Sequence, residues 1–206
     1  LGFALNRAGQ RKEAIHVLKS VIKKHGKNSE TCGILGRMYK DYWQENISNE
    51  VISKGYLKKA IQTYLDGFES DFRDAYPGIN AVTLMDIATD ERKDEILPVV
   101  TYAVKQKMKN GADYWDYATL LELAILDNNQ VKAEELLPDV LVNVRESFEP
   151  KTTANNLAII VGRRSKKGND VLWIEEIVNK LLMLRLSKSL NLQKVTLQNF
   201  IGINNA

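Results

Sequence analysis

The sequence predicts an all-α protein, an α-α superhelix of stacked helical hairpins, and three observations carry the prediction. Gly and Pro number only 12 and 4 among 206 residues, which suits helices joined by short turns. No segment alternates apolar and polar residues with β-branched enrichment, and no Asn-Gly turn joins two such runs, so the pattern of a sheet is missing. Leu1-Gly2 and Leu5 recur as Leu35-Gly36 and Tyr39, a separation of 34 residues, and a fixed period of that size marks repeated helix pairs.

The first pair reads through Leu1-Gly2, Leu5, Gly9, Ala14-Ile15, Leu18 and Val21-Ile22, with Gly2 and Ala14 where two helices approach and Gly9 in the turn between them. This order of small and large residues resembles a tetratricopeptide repeat. In the second pair Leu35-Gly36 and Tyr39 open the first helix, and Ala60-Ile61, Tyr64 and Gly67-Phe68 mark its partner. Gly36 and Ala60 lie 24 residues apart where Gly2 and Ala14 lie 12 apart, so an insertion is expected at about 41–55. The third pair is degenerate, with a first helix over 79–88 and a second from about Asp90 to Met108, in which Asp94 takes the usual Ala position.

The fourth pair is clearer, with Tyr114-Trp115, Leu120-Leu121 and Ala124, the turn Asp127-Asn128-Asn129, then Ala133, Leu137 and Val140-Leu141. Pro98 and Pro138 occupy nearly matching places in consecutive second helices, so bends or late helix starts are expected there. Pro150 starts a further helix through Ile160, a basic loop follows over Gly162–Gly168, and Asn169 or Asp170 caps a last helix to about Ser189. The expected organisation is one repeat domain over 1–190 with a tail or short helix over 191–206. Residue 1 already falls inside a first helix, so more helix is expected upstream.

Composition bounds the function. No run of about 18 apolar residues exists to span a bilayer, and the mean hydropathy is −0.29. The single Cys32 cannot form an internal disulfide, which fits a reducing compartment such as the cytoplasm. The net charge of +3 conceals alternation: residues 1–30 hold seven basic against two acidic side chains, 66–98 nine acidic against three basic, and 161–194 eight basic against three acidic. Such a surface suits charged partners, although solvated helix faces look the same.

Three stretches are more distinctive than a generic repeat: Gly36-Arg37-Met38-Tyr39-Lys40-Asp41, the run from Ala60 to Glu69, and Tyr76-Pro77-Gly78-Ile79-Asn80-Ala81-Val82. With Tyr114-Trp115-Asp116, they make roughly residues 30–165 similar to the TRAF-binding domain of mitogen-activated protein kinase kinase kinases, of the apoptosis signal-regulating kinase type, which also occurs in bacterial proteins without the kinase. The resemblance implies a protein-interaction domain that holds a signalling enzyme in regulatory complexes. It implies no catalysis here, because the kinase glycine loop, His-Arg-Asp and Asp-Phe-Gly are all missing from the chain. Physical roles for the same residues need no ligand: Pro77-Gly78 as a tight turn into a helix, Asn80 near its start, Tyr39, Tyr64 and Phe68 as filling between helices, and Arg37 paired with Asp41 or with the acidic run.

Catalytic and metal chemistry find little material. His16 and His25 stand nine apart with no Cys-x-x-Cys or His-x-x-x-His, so no metal and no cofactor are expected, and Cys32 beside Gly33 reads as a packing residue. The chain is expected not to be an enzyme. Repeat register places Arg37, Lys40, Thr83, Asp86, Trp115 and Glu122 on the concave lining, where a protein or peptide partner is expected to bind. The alternative is a phosphate or nucleic-acid site at Arg163, Arg164, Lys166 and Lys167, for which the competing explanation is a helix end that favours cations. Tyr42-Trp43 is an interface anchor if exposed and core if covered.

Overall fold

The computed structural model describes residues 4–5 and 8–183, and every regular element among them is helical. The first-helix positions Leu1 and Gly2, the end of the last helix and the tail expected over 191–206 lie outside these residues. The chain divides into two compact units, Leu1–Gly111 and Ala112–Ala206.

Among the described residues of the first unit, helical also at 4–5, the full helices are α1 (Arg11–His25), α2 (Ser29–Glu45), α3 (Glu50–Ser70), α4 (Ala75–Ala88) and α5 (Arg92–Met108). The starts of α2, α3 and α4 follow from short polar side chains that accept from otherwise unpaired backbone N–H groups. Asn28 accepts from Thr31 N, Asn49 from Ile52 N and Asp74 from Tyr76 N. Consecutive helices pack as hairpins, and α2 also meets α4, so the first helix of one hairpin lies beside the first helix of the next.

The helices approach closely because glycines remove side chains where aromatic rings must pass. A Cβ on Gly36 would stand 2.8 Å from the Tyr64 ring, and one on Gly78 would stand 2.8 Å from both Phe68 and Val100. Tyr39, Tyr64 and Phe68 are all buried, as their spacing predicts. Pro77-Gly78 is not a turn, however. The α4 helix begins a turn earlier, at the Asp74 cap, and Pro77 sits in its first turn, where a missing N–H costs nothing. Asn80 is not at the helix start either; its amide donates to the Tyr76 carbonyl.

The extra residues at 41–55 are also helical. They lengthen α2 to Glu45 and start α3 at Glu50, leaving only 46–49 as a connection. Trp43 is buried, and Tyr42 is half-buried, stacked on Tyr56 at 4.9 Å with the Arg11 guanidinium 4.8 Å from its ring centre. Arg11 also pairs with Glu45 at 2.7 Å, which fastens α1 to the lengthened end of α2.

The second unit holds α6 (Tyr114–Leu126), α7 (Gln130–Val142), α8 (Phe148–Lys166) and a helix over 172–183, α9. A reciprocal capping box between Asp113 and Asp116 starts α6, and Asn128, at φ 57°, turns the chain toward α7. Asp170 accepts from Leu172 N at the start of α9, one of the two expected caps. Within this unit α6 packs on both α7 and α8.

Neither Pro98 nor Pro138 delays a helix, since α5 and α7 start well before them. Both prolines are exposed, as are Asp94 and Glu134, the residues whose carbonyls lose their helical donors to them. The basic loop expected over 162–168 is corrected as well: α8 continues through Gly162 to Lys166, and the chain leaves the helix at Gly168, φ 77°.

Candidate interaction surfaces

The repeat register offers four residues in the first unit. Arg37, on α2, is exposed. Lys40, one turn on, is half-buried, and its Nζ donates to Asn80 Oδ1 on α4 at 3.2 Å, a polar tie between the two first helices. Asp86 accepts from Lys93 Nζ at 3.2 Å and is only partly accessible. Thr83 is buried, and its hydroxyl donates to the Ile79 carbonyl at 2.8 Å. The helix explains that result: α4 is buried from Pro77 to Met85 at every residue but Asn80, against α3, α5 and α2, so it has no broad open face.

In the second unit Trp115 is exposed at 36%, and its ring lies 6.3 Å from that of Phe148, itself exposed at 57%. Together these rings form an accessible aromatic pair at the starts of α6 and α8. Glu122 is buried, in a stretch of α6 covered from Leu120 to Leu126. Register alone therefore identified Arg37 and Trp115 as accessible, but it could not foresee that Thr83 and Glu122 sit on helices covered nearly all round. The Phe148 contribution was missed, because the helix start was read at Pro150.

Arg37 and Asp41 form no ion pair among the described residues. Burial pushes the Asp41 carboxyl above its ordinary range, although Arg11 and Arg37 pull the other way. The cations at 163–167 do not act as a set. Arg164 is buried and donates to the carbonyls of Ile125 and Leu126 at 2.9 and 3.2 Å, whereas Arg163, Lys166 and Lys167 are exposed. A phosphate or nucleic-acid site there keeps three of its four proposed cations.

Cys32 is buried, with its Cβ 2.9 Å from where a Cβ on Gly67 would stand. Burial raises its thiol above the ordinary value, which opposes formation of the nucleophilic thiolate. Among the described residues no three His, Cys, Asp or Glu side chains are grouped to hold a metal ion. No helix of the described residues is long and apolar enough to cross a membrane.

Helical hairpins packed first helix to first helix define a helical-repeat domain. The family whose sequence model is described as the MAP3K TRAFs-binding domain matches residues 1–180, and the chain belongs to that family. It is similar to the mitogen-activated protein kinase kinase kinase nsy-1 of Caenorhabditis elegans, 30% identical over 177 residues, covering 77% of this chain and 12% of that protein. The chain thus spans about an eighth of its relative's length. The family is that of a protein-interaction regulatory domain.

Proposed function

We propose that this chain is a non-catalytic scaffold of tetratricopeptide type, acting in the cytoplasm, which binds a peptide or partner domain through side chains carried by its first helices. The observation that supports this reading best is the close meeting of helices at Gly36, within one hairpin, and at Gly78, which packs the next hairpin against it, while Arg37 on α2 stays in solvent. Arg37 supplies a charged contact, and Trp115 with Phe148 supplies an apolar anchor of the kind that dominates binding energy. Lys40 and Asp86 support the surface from partly covered positions. The family description makes a TRAF protein the first partner to test.

The test is titration calorimetry of the chain with a purified TRAF protein, using Arg37→Glu and Trp115→Ala variants that retain their helical circular dichroism. Loss of a central aromatic anchor is expected to weaken binding by about 2 kcal/mol. Binding that is unchanged in both variants would remove these residues from the interface. No heat with wild type would reject this partner.

A further inference from the structure

The outward face of α1 carries Lys12, His16, Lys19 and Lys23 at successive helical spacings, all exposed, with Lys24 beside them. The stripe is about 16 Å long at the helical rise per residue. Five other cations in this unit are paired, Arg11 with Glu45, Lys27 with Asp66, Arg73 with Asp71, Arg92 with Asp90 and Lys93 with Asp86, while exposed cations such as Arg37, Lys58 and Lys105 stand in no comparable row. Among the described residues the stripe lysines have no such counter-charge.

Helix stability alone does not account for this arrangement. Lys23 and Lys24 lie in the last turn, where the helix dipole favours cations, but Lys12 lies in the first turn, where it disfavours them. Lys19 and Lys23, four apart, repel each other. The pattern therefore carries an electrostatic cost within the isolated fold, which an external row of negative charges would offset.

The side chains also discriminate among anionic partners. No Phe, Tyr or Trp occurs on α1 to stack a base, and no arginine fork stands in the stripe to grip a phosphate. The apolar residues Ala14 and Leu18 face inward and Ile15, Val17, Val21 and Ile22 are at least half-covered, so no apolar side is left to enter a bilayer. We infer that the outer face of α1 docks an acidic protein segment whose carboxylates are spaced to match Lys12, Lys19 and Lys23. The stripe includes neither Arg37 nor Trp115, and its test does not depend on theirs.

The experiment is fluorescence anisotropy of the full chain with a labelled helical peptide bearing Glu at matching i, i+4, i+7 and i+11 positions, beside the same peptide with Gln. An oligothymidylate and vesicles of phosphatidylcholine with phosphatidylserine serve as the other anionic probes. The Glu peptide is expected to bind, and the triple variant Lys12→Glu, Lys19→Glu, Lys23→Glu to weaken it about tenfold or more. A variant of equal charge change, Lys58→Glu, Lys105→Glu, Lys151→Glu, is expected to weaken it less than about threefold. Should the first variant lose its helical signal, Lys12→Gln with Lys19→Gln replaces it, with a smaller loss in the same direction expected. No binding of the Glu peptide, equal loss in both charge-reversed variants, or tighter stripe-dependent binding of the oligonucleotide or the vesicles would overturn the inference.

Discussion

Arg164 of α8 donates from Nη1 to the carbonyl oxygen of Ile125 at 2.9 Å, closing the C-terminal end of α6 from a neighbouring helix. Its Nη2 reaches the Leu126 carbonyl, and Asn128 Oδ1 lies 3.4 Å from Nη1. The guanidinium thus sits at the negative end of a helix dipole, where carbonyls need donors. Arg164→Ala is expected to destabilise the second unit by about 2–3 kcal/mol, since hydrogen bonds to charged groups contribute more than neutral ones. Arg164→Lys should recover only part, because an ammonium lacks the planar fork. Urea unfolding in a Trp43→Phe background follows Trp115 and Trp173, both in this unit. An unchanged midpoint for Arg164→Ala would contradict the capping role.

Gly36 faces the Tyr64 ring so closely that a methyl group cannot enter without moving it. Gly36→Ala is expected to cost about 1–3 kcal/mol by overpacking, despite the better helix propensity of Ala. Shrinking the ring in the same chain, with Tyr64→Leu, should make the two changes less than additive in their cost. A double variant whose loss equals the sum of the singles would show that the ring does not set the limit.

The pairing of helices was legible because it leaves small residues at fixed places: Leu1-Gly2 and Leu5 recurring as Leu35-Gly36 and Tyr39 give a period, and the period gives the hairpins. Burial around each helix was less legible. The repeat supplies a direction for Thr83 and Glu122, but their accessibility depends on how many neighbours cover α4 and α6, a tertiary property that spacing does not encode. Pro77-Gly78 misled for a related reason, since the same dipeptide suits a turn or a closely packed first helical turn. Arg164 had no local signal at all, because its partners lie 38 and 39 residues away in α6.

Asp41 makes a pH prediction whose sign follows from its environment. Its folded carboxyl lies above the ordinary value of 3.8, chiefly through burial, so the native state holds a proton more tightly than the unfolded chain does. Ionisation therefore penalises folding at neutral pH, and that penalty lifts as pH falls toward the unfolded value. Asp41→Asn, uncharged throughout, is expected to be more stable than wild type at pH 7, with the advantage shrinking as pH falls toward about 4 and lost below it. Urea midpoints of both proteins across this range check it. A destabilised variant at pH 7 would mean that the attraction of Arg11 and Arg37 outweighs burial.

Tyr114 and Thr153 join α6 to α8 through a buried hydroxyl contact of 2.8 Å. Tyr114→Phe leaves the threonine without that partner, and Thr153→Val leaves the phenol without its own, so each single change should cost about 1 kcal/mol. Removing both groups together leaves neither stranded, and the double variant should lose less than the sum. The pH response supplies an independent check. Burial raises the phenol from 10.0 to about 12, so above pH 10 the unfolded chain ionises while the folded one does not. Wild-type stability should therefore fall from pH 10 to about 12 by more than that of Tyr114→Phe, which lacks the ionising group. Parallel alkaline profiles would show that the phenol is not desolvated in the native protein.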